Sequence, residues 1–145
     1  MAAEALIPPR AQAFLEVARV AHLATADAQG RPTVLPICFQ VRAGLLYSLL
    51  DAKPKQVPAA RLQRVRDLLA NPQAAVVAHR WDEDWQRLGW VLLRGSARLE
   101  PPGPAQRQAL ELLRAKYPQY RAMDLEQQPA IVMTVQACRT WGDLS

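Results

Sequence analysis

The sequence predicts a mainly β domain in which six antiparallel strands form a small closed or split barrel with flanking helices. Six segments are rich in β-branched and apolar residues, most are separated by short turns, and one amphipathic helix is inserted between the third and fourth strands. Closing such a sheet removes its exposed edges. The chain has 145 residues, of which 50% are hydrophobic, so residues 1–145 are expected to form one domain without disulfide bonds.

The first half of the chain is predicted to contain one helix and three strands. The helix follows Pro8 and Pro9, because apolar residues then recur with helical spacing, at Ala13, Phe14, Val17, Ala18 and Ala21. The strands are predicted at 22–26, 33–41 and 45–50. Pro36 indicates a sheet edge, a bulge or a barrel rim, because proline cannot donate a hydrogen bond to a neighbouring strand.

The second half is predicted to contain two helices and three strands. Helix 59–70 has one apolar face and ends before Asn71-Pro72, and a second helix spans 105–117. Strands are predicted at 74–81, 88–99 and 129–137, and Gly95 indicates a bulge in the long fifth strand. The helices would cover the open ends of the barrel.

Positive charge is concentrated in one segment. The chain has 18 basic and 13 acidic residues and a net charge of +5. Residues 42–66 account for all of this excess, because they contain one acid, Asp51, and six basic residues: Arg42, Lys53, Lys55, Arg61, Arg64 and Arg66. Such a local patch indicates an anionic partner of limited size, and a solvated basic loop and helix face is the alternative.

Strand 45–50, the loop after it and helix 59–70 form a strand–loop–helix unit. A helix N-terminus offers free N–H groups and a partial positive charge. Lys53, Lys55 and Arg61 at this position predict a phosphate site, to which Ser48 would add a hydroxyl donor.

Several function classes lack their motifs. The sequence has no glycine-rich nucleotide fingerprint, P-loop, nucleophile elbow or zinc-ligand spacing, so no metal site and no catalytic residue is predicted. Cys38 and Cys138 lie far apart, and there is no apolar run of about 20 residues and no secretory signal pattern, so a cytoplasmic protein with reduced thiols is expected. A bound cofactor would therefore carry any redox chemistry.

Three tryptophans, Trp81, Trp85 and Trp90, lie within ten residues. For Trp81 and Trp90, core packing and a ligand contact are equally good explanations. Trp85 lies in a polar loop and is the better candidate for a ligand or dimer contact.

An ordered set of short motifs resembles the pyridoxamine 5'-phosphate oxidase-like split β-barrels. The set comprises GRPTVLPICF at 30–39, Leu46-Tyr47-Ser48, Lys53-Pro54-Lys55, Arg61-Leu62 and LANPQAAV at 69–76. Residues 82–85 (DEDW) and 90–98 (WVLLRGSAR) are similar to its branch of deazaflavin-dependent reductases, which use coenzyme F420.

The resemblance implies a homodimer with two cofactor sites at the subunit interface. It assigns the cofactor phosphate to Ser48, Lys53 and Lys55 and the ring to the second strand, and it places Trp90 in the site of the partner subunit. The ring segment is Pro36, Ile37 and Cys38. The chain departs from the pyridoxamine-phosphate oxidases, which have Arg-Lys at 53–54 and glutamine at 90, so pyridoxamine phosphate is not the expected substrate.

The favoured function is F420-dependent hydride transfer to an unidentified small electrophilic substrate. The basic segment exceeds what one FMN phosphate needs, and Arg61, Arg64 and Arg66 would serve the glutamate tail of the deazaflavin. An FMN oxidase or reductase of the same fold is the alternative. A non-enzymatic cofactor or heme binder is another, with His22 and His79 as the available iron ligands. Neither nucleic acid nor a membrane is an expected partner, because the basic segment has few interleaved aromatic residues and no span is present.

Overall fold

The computed structural model of the protein describes residues 6–50 and 62–145. Seven strands form one sheet, and every neighbouring pair in it is antiparallel. The helices are α1 (Pro9–Val17), α2 (Gln63–Ala70) and α3 (Pro104–Lys116), with short 3-10 helices at Trp85–Arg87 and Pro118–Ala122. The strands are β1 (Ala21–Ala26), β2 (Pro32–Ile37), β3 (Gln40–Arg42), β4 (Leu45–Leu49), β5 (Gln73–Arg80), β6 (Gly89–Glu100) and β7 (Ala130–Gly142). The prediction of a mainly β antiparallel fold is confirmed.

The sheet curls so that its two edges approach each other. Its strand order is β2-β1-β5-β6-β7-β4-β3, so β2 and β3 lie at opposite ends. Only Cys38 and Phe39 separate them in sequence, and such a link spans at most roughly 11 Å. Among the described residues no hydrogen-bonded ladder joins β2 to β3. The barrel is therefore split at this edge.

The predicted strand count of six is wrong because the second predicted strand, 33–41, is broken into β2 and β3. The break falls where side chains replace strand partners. Ser48 donates a hydrogen bond to the carbonyl oxygen of Cys38, and the N–H of Phe39 donates to the hydroxyl of Tyr117. These side-chain bonds satisfy backbone groups that a continuous strand would pair with a neighbour.

Two local predictions from single residues are confirmed. Pro36 lies on an edge strand, because β2 pairs only with β1. At Gly95 the register between β6 and β7 shifts as predicted, but the extra residue, Gln136, lies on β7 and not on the fifth predicted strand. A Cβ on Gly95 would lie 2.0 Å from the carbonyl oxygen of Thr134, so only glycine allows this close approach.

The inside of the sheet forms the main core, and the first two helices contribute to it from the barrel ends. α1 inserts Phe14 and Leu15, and α2 inserts Val65 and Leu68. The prediction that Val17 belongs to the buried face of the first helix is wrong, because 73% of Val17 is exposed and the helix ends there. Ala21, predicted to continue that face, is instead the first residue of β1.

The outer side of the sheet is covered over only part of its area. A second core lies between α3 and the outward side chains of β4 and early β7, including Tyr47 and Val132. The remaining outward residues form a surface that we call the open face. It consists of His22, Ala24, Val34, Pro36, Ala75, Val77, His79, Trp90, Leu92, Arg94, Ala137, Arg139 and Trp141. These residues lie opposite one another in register and therefore point to the same side of the sheet.

The last strand continues five residues beyond its predicted end at 137. Trp90 of β6 pairs with Trp141 of β7, which extends the ladder to Gly142. Within the described residues, no helix is both long enough and apolar enough to cross a membrane.

Candidate functional site

Ser48 and Cys38, two of the predicted cofactor residues, are in contact. Ser48 lies on β4 between the core residues Leu46 and Leu50, and it is only 3% exposed. Its hydroxyl donates a hydrogen bond of 2.8 Å to the carbonyl oxygen of Cys38. The end of the predicted ring segment thus meets the strand that leads into the predicted phosphate loop.

A tyrosine contacts the other side of the Cys38–Phe39 link between β2 and β3, which we call the crossover. The N–H of Phe39 donates to the Tyr117 hydroxyl at 3.1 Å, and this hydroxyl donates to the carbonyl oxygen of Arg19 at 3.0 Å or of Phe39 at 3.2 Å. The Arg19 guanidinium lies 4.9 Å from the centroid of the Tyr117 ring. Burial raises the pKa of Tyr117, so the hydroxyl stays neutral as a donor and acceptor.

Lys116 adds a positive charge beside this crossover. Its ammonium lies 4.0 Å from the centroid of the Phe39 ring and donates to the carbonyl oxygen of Leu15 at 3.0 Å. Burial, with a smaller contribution from Arg19, lowers the pKa of Lys116 to about 8. Lys116 and Tyr117 were not among the predicted site residues, because their partners lie about 80 to 100 residues away in the chain and no local spacing links them.

The three residues of the predicted ring segment face different ways. Pro36 points outward on the open face, whereas Ile37 points into the core and is 9% exposed. Cys38 is half-buried against the second core. Among the three side chains, Pro36 and Cys38 are therefore accessible to a ligand, and Ile37 supports the strand from inside.

The predicted tryptophans lie apart from Ser48 and Cys38 within one chain. Trp90 is on the open face, directly opposite His79 and Trp141 and three strands away from Pro36. Trp85 lies in a 3-10 helix and is 71% exposed. The core-packing interpretation of Trp81 is wrong, because Trp81 is 61% exposed at the end of β5.

Most of the predicted phosphate-binding residues lie outside the described residues. Lys53, Lys55 and Arg61 belong to the segment between Leu50 and Leu62. Of the other basic residues in this region, Arg42 lies 3.8 Å from the carboxylate of Glu16. On one side of this segment Leu50 lies in the core, and on the other side α2 begins at Gln63.

A buried carboxylate fixes α2 to the sheet. Asp67 is 1% exposed and accepts hydrogen bonds of 2.7 Å from the Thr25 hydroxyl on β1 and from the Gln63 side chain. Helix α2, which contains the last two arginines of the basic segment, is therefore anchored to β1 by a buried polar contact. The sequence offered no sign that Asp67 would be buried.

The two histidines lie side by side on the open face. The rings of His22 and His79 are stacked, with centroids 6.1 Å apart. Residues 6–50 and 62–145 contain no group of three or more histidine, cysteine, aspartate and glutamate residues that could hold a metal ion.

Comparison with solved structures supports the fold. HutZ, a heme storage protein from Vibrio cholerae, is 16% identical, with a TM-score of 0.72 over 94% of each chain. A heme-binding protein from Mycobacterium smegmatis is 20% identical, with a TM-score of 0.70 over 93% of this chain and 55% of its own. A Listeria innocua protein provisionally named pyridoxamine 5'-phosphate oxidase is 17% identical, with a TM-score of 0.65 over 90% of this chain and 94% of its own.

Sequence comparison identifies the family. No curated protein sequence matches the chain. The family model for pyridoxamine 5'-phosphate oxidase matches residues 7–142, which include every described strand and helix from α1 to β7. The resemblance drawn from the motifs of β2, β4 and β5 is confirmed at this level, and the chain belongs to the pyridoxamine 5'-phosphate oxidase family.

Proposed function

We propose that this protein is a homodimeric oxidoreductase that binds coenzyme F420 at the subunit interface and uses it to reduce a small electrophilic substrate. The contact between Ser48 and Cys38 carries the proposal. It joins the strand that leads into the basic segment to the segment proposed to lie along the ring. A cofactor with a flat ring at one end and phosphate at the other fits this arrangement.

The open face supports the proposed dimer. It contains apolar side chains on five adjacent strands, and the exposed fractions of Val34 and Trp141 are 60% and 52%. Apolar patches of this kind commonly mark association surfaces. A second copy packed here would bring Trp90 of the partner subunit toward a cofactor whose phosphate end lies near Ser48.

The residues present fit the ring end of the cofactor. Pro36 and Cys38 offer a small apolar edge, and Trp90 offers an aromatic surface from the other subunit. The hydroxyl of Ser48 already donates to Cys38, so it would receive a hydrogen bond from the ligand or turn away from Cys38 to donate one. Lys53, Lys55 and Arg61 are proposed to supply the remaining phosphate contacts.

When bound, the deazaflavin ring supplies the hydride. The protein's own contribution is to bind the phosphate, orient the ring along β2 and exclude water from its reactive edge. The Tyr117 and Ser48 contacts keep the Cys38–Phe39 crossover in one position, so the ring would meet a fixed backbone. No side chain in this arrangement is assigned as a proton donor.

A paired titration tests the proposal. The purified chain, stripped of cofactor, is titrated with F420 and separately with FMN, and binding is followed by cofactor fluorescence. We expect tighter binding of F420, and we expect Lys53→Ala to weaken it by about tenfold, since a charge-assisted hydrogen bond contributes about 1.5 kcal/mol or more. Arg107→Ala, on the exposed side of α3, is the charge-matched control.

Each outcome has a clear meaning. Tighter binding of FMN would move the function to the flavoprotein alternative. Binding of neither cofactor would reject the oxidoreductase proposal. Equal losses in Lys53→Ala and Arg107→Ala would reject the phosphate site, because only general electrostatics would then be at work. Arg64→Ala with Arg66→Ala should weaken long-tailed F420 more than a tailless deazaflavin.

Heme binding is the second candidate function. It is favoured by the pairing of His22 and His79 on an apolar face, where either imidazole could ligate iron. HutZ and the M. smegmatis protein are heme proteins of the same fold. A hemin titration followed by the Soret band, repeated on His22→Ala and His79→Ala, tests it. A Soret band that neither variant changes would reject both histidines as ligands.

A further inference from the structure

A groove of about 530 Å³ lies outside the proposed cofactor site, between α1, the end of β5 and residues 144–145. Clefts of about 300–1,000 Å³ are the usual size of small-molecule sites. Neither the motifs nor the proposed reaction uses this groove.

The wall of the groove is a second apolar stripe on α1. This helix buries Ala11, Phe14 and Leu15 in or beside the core, which accounts for one face. Ala13 and Val17 lie one turn apart on another face, are exposed, and line the groove. A valine that is 73% exposed gains nothing from the core, so the stripe is better suited to an apolar ligand.

Arg80 lines the groove, and its side chain is held by several contacts. Its guanidinium donates to backbone oxygens of Arg87, Asp143 and Ser145 at 2.8, 2.6 and 2.8 Å. It also lies 5.7 Å from the centroid of the Phe14 ring. One arginine thus links the end of β5 to the 3-10 helix at Trp85–Arg87 and to residues 143–145. The cavity is held in shape before any ligand arrives, which reduces the entropy cost of binding.

The charged side chains that line the groove favour an anionic ligand. Arg10 and His79 line the groove, and its lining contains no acidic side chain. The charge of Arg80 is largely satisfied by its carbonyl partners and by Asp143 at 3.5 Å. In the described part of the chain Arg10 forms no ion pair. An apolar lining that includes one arginine without an ion pair complements an amphipathic anion.

We propose that this groove binds a small amphipathic anion, with its apolar body against Ala13, Val17 and Leu144 and its acidic group at Arg10. The proposal does not depend on F420 binding, because the groove uses none of Pro36, Ser48 or the basic segment. It shares His79 with the open face and with the heme candidate, and the acidic group is therefore assigned to Arg10 and not to His79. A carboxylate or sulfonate on an aromatic or aliphatic body has the required chemistry.

Two matched dyes test the proposal on the full chain. 8-Anilinonaphthalene-1-sulfonate carries the apolar body and the acid, and N-phenyl-1-naphthylamine is the same body without the acid. Both gain fluorescence in apolar surroundings. We expect Arg10→Gln to weaken the sulfonate dye by about three- to fivefold, as for loss of an exposed ion pair of up to about 1 kcal/mol, and to leave the neutral dye within about twofold.

Filling variants locate the bound dye. Ala13→Phe, or Val17→Phe if the first variant folds poorly by circular dichroism, should weaken both dyes by about tenfold or more. Arg107→Gln, at an exposed position on α3, should change neither dye. Sulfonate binding that survives both filling variants, an equal effect of Arg10→Gln on the two dyes, or no binding of the sulfonate dye would overturn the proposal.

Discussion

The ammonium of Lys116 lies 4.0 Å from the centroid of the Phe39 ring, at the point where the chain passes from one edge of the sheet to the other. Two independent contacts therefore hold Phe39, since its N–H also donates to the neighbouring Tyr117. The end of α3 secures the crossover from outside, and Ser48 secures it from inside. The predicted ring segment is fixed by residues that are remote in sequence.

The charge of Lys116 should make stability depend on pH. Burial lowers its pKa from 10.5 to about 8. Between about pH 8 and 10.5 the unfolded chain holds the proton that the folded chain has lost, so this group makes the free energy of unfolding rise with pH. Because the ammonium is only partly buried, we expect a rise of about 1–2 kcal/mol, measured by urea unfolding.

Lys116→Met isolates this effect from other groups that titrate nearby. Burial raises the pKa values of Cys138, Tyr47 and Tyr117, so each lowers stability as pH rises above the pKa of its unfolded form. The difference between wild type and variant should rise with pH across this window. A difference that stays flat would show that Lys116 keeps its ordinary pKa.

Thr25 and Asp67 should be energetically coupled. The Thr25 hydroxyl donates to the buried Asp67 carboxylate at 2.7 Å, so Thr25→Val and Asp67→Ala each leave a polar partner without its hydrogen bond. We expect each to cost about 2–3 kcal/mol and a double-mutant cycle to give a coupling of about 1–3 kcal/mol. Additive losses in urea unfolding would show that the contact contributes little.

Gly95→Ala should be severely destabilising. The added Cβ would lie 2.0 Å from the Thr134 carbonyl oxygen, so β6 and β7 must separate at the bulge. We expect a loss of about 3 kcal/mol or more in thermal or urea unfolding. Gly103→Ala is the matched control, because the nearest atom to its added Cβ is 3.6 Å away. Its cost should stay within about 1 kcal/mol, and similar losses at both sites would contradict the steric argument.

Ser48→Ala should destabilise the crossover. It removes the donor to the Cys38 carbonyl in a site from which water is nearly excluded. The expected cost is about 1–3 kcal/mol in urea unfolding. Ser96→Ala, at a half-buried position on β6, provides the comparison. A cost no larger than that of Ser96→Ala would mean that the hydrogen bond is not maintained in solution.

A charge at the centre of the open face should prevent association. Val77 lies between His22 and Leu92 in one row across the sheet. Val77→Asp is expected to give a monomer by light scattering, with an unchanged circular dichroism spectrum, because an interface would have to desolvate the carboxylate. Leu69→Asp, at an exposed apolar position on α2, should leave the mass unchanged. A dimer that tolerates Val77→Asp must use another surface.

Features governed by local rules were predictable from the sequence. Pro36 on an edge and Gly95 at a bulge follow from what single residues can and cannot do in a strand. The amphipathic pattern also located α1, α2 and α3, with differences at the ends that the structure describes. The break at Cys38–Phe39 was missed, because it is made by Ser48 and Tyr117 from other parts of the chain.

The candidate site was predictable only in part for the same reason. Motif order placed Ser48 and Cys38 in one site, and they are in contact. The resemblance included Ile37 in the ring segment, but side chains alternate along β2 and that of Ile37 points inward. The roles of Lys116 and Asp67 depend on burial, which a one-dimensional pattern does not record for charged residues.

The strand order has a consequence for synthesis on the ribosome. Among the described strands, the β3–β4 pair joins the rest of the sheet only through β7, which is the last of them to be made. The β3–β4 hairpin therefore emerges with one edge of β4 unpaired, and this edge stays unpaired until nearly the whole chain has been translated. Completion of the sheet requires contacts between distant parts of the chain, which fold on the order of milliseconds to seconds. Until β7 is made, this hairpin and the edge of β6 that pairs with β7 both need protection from other chains.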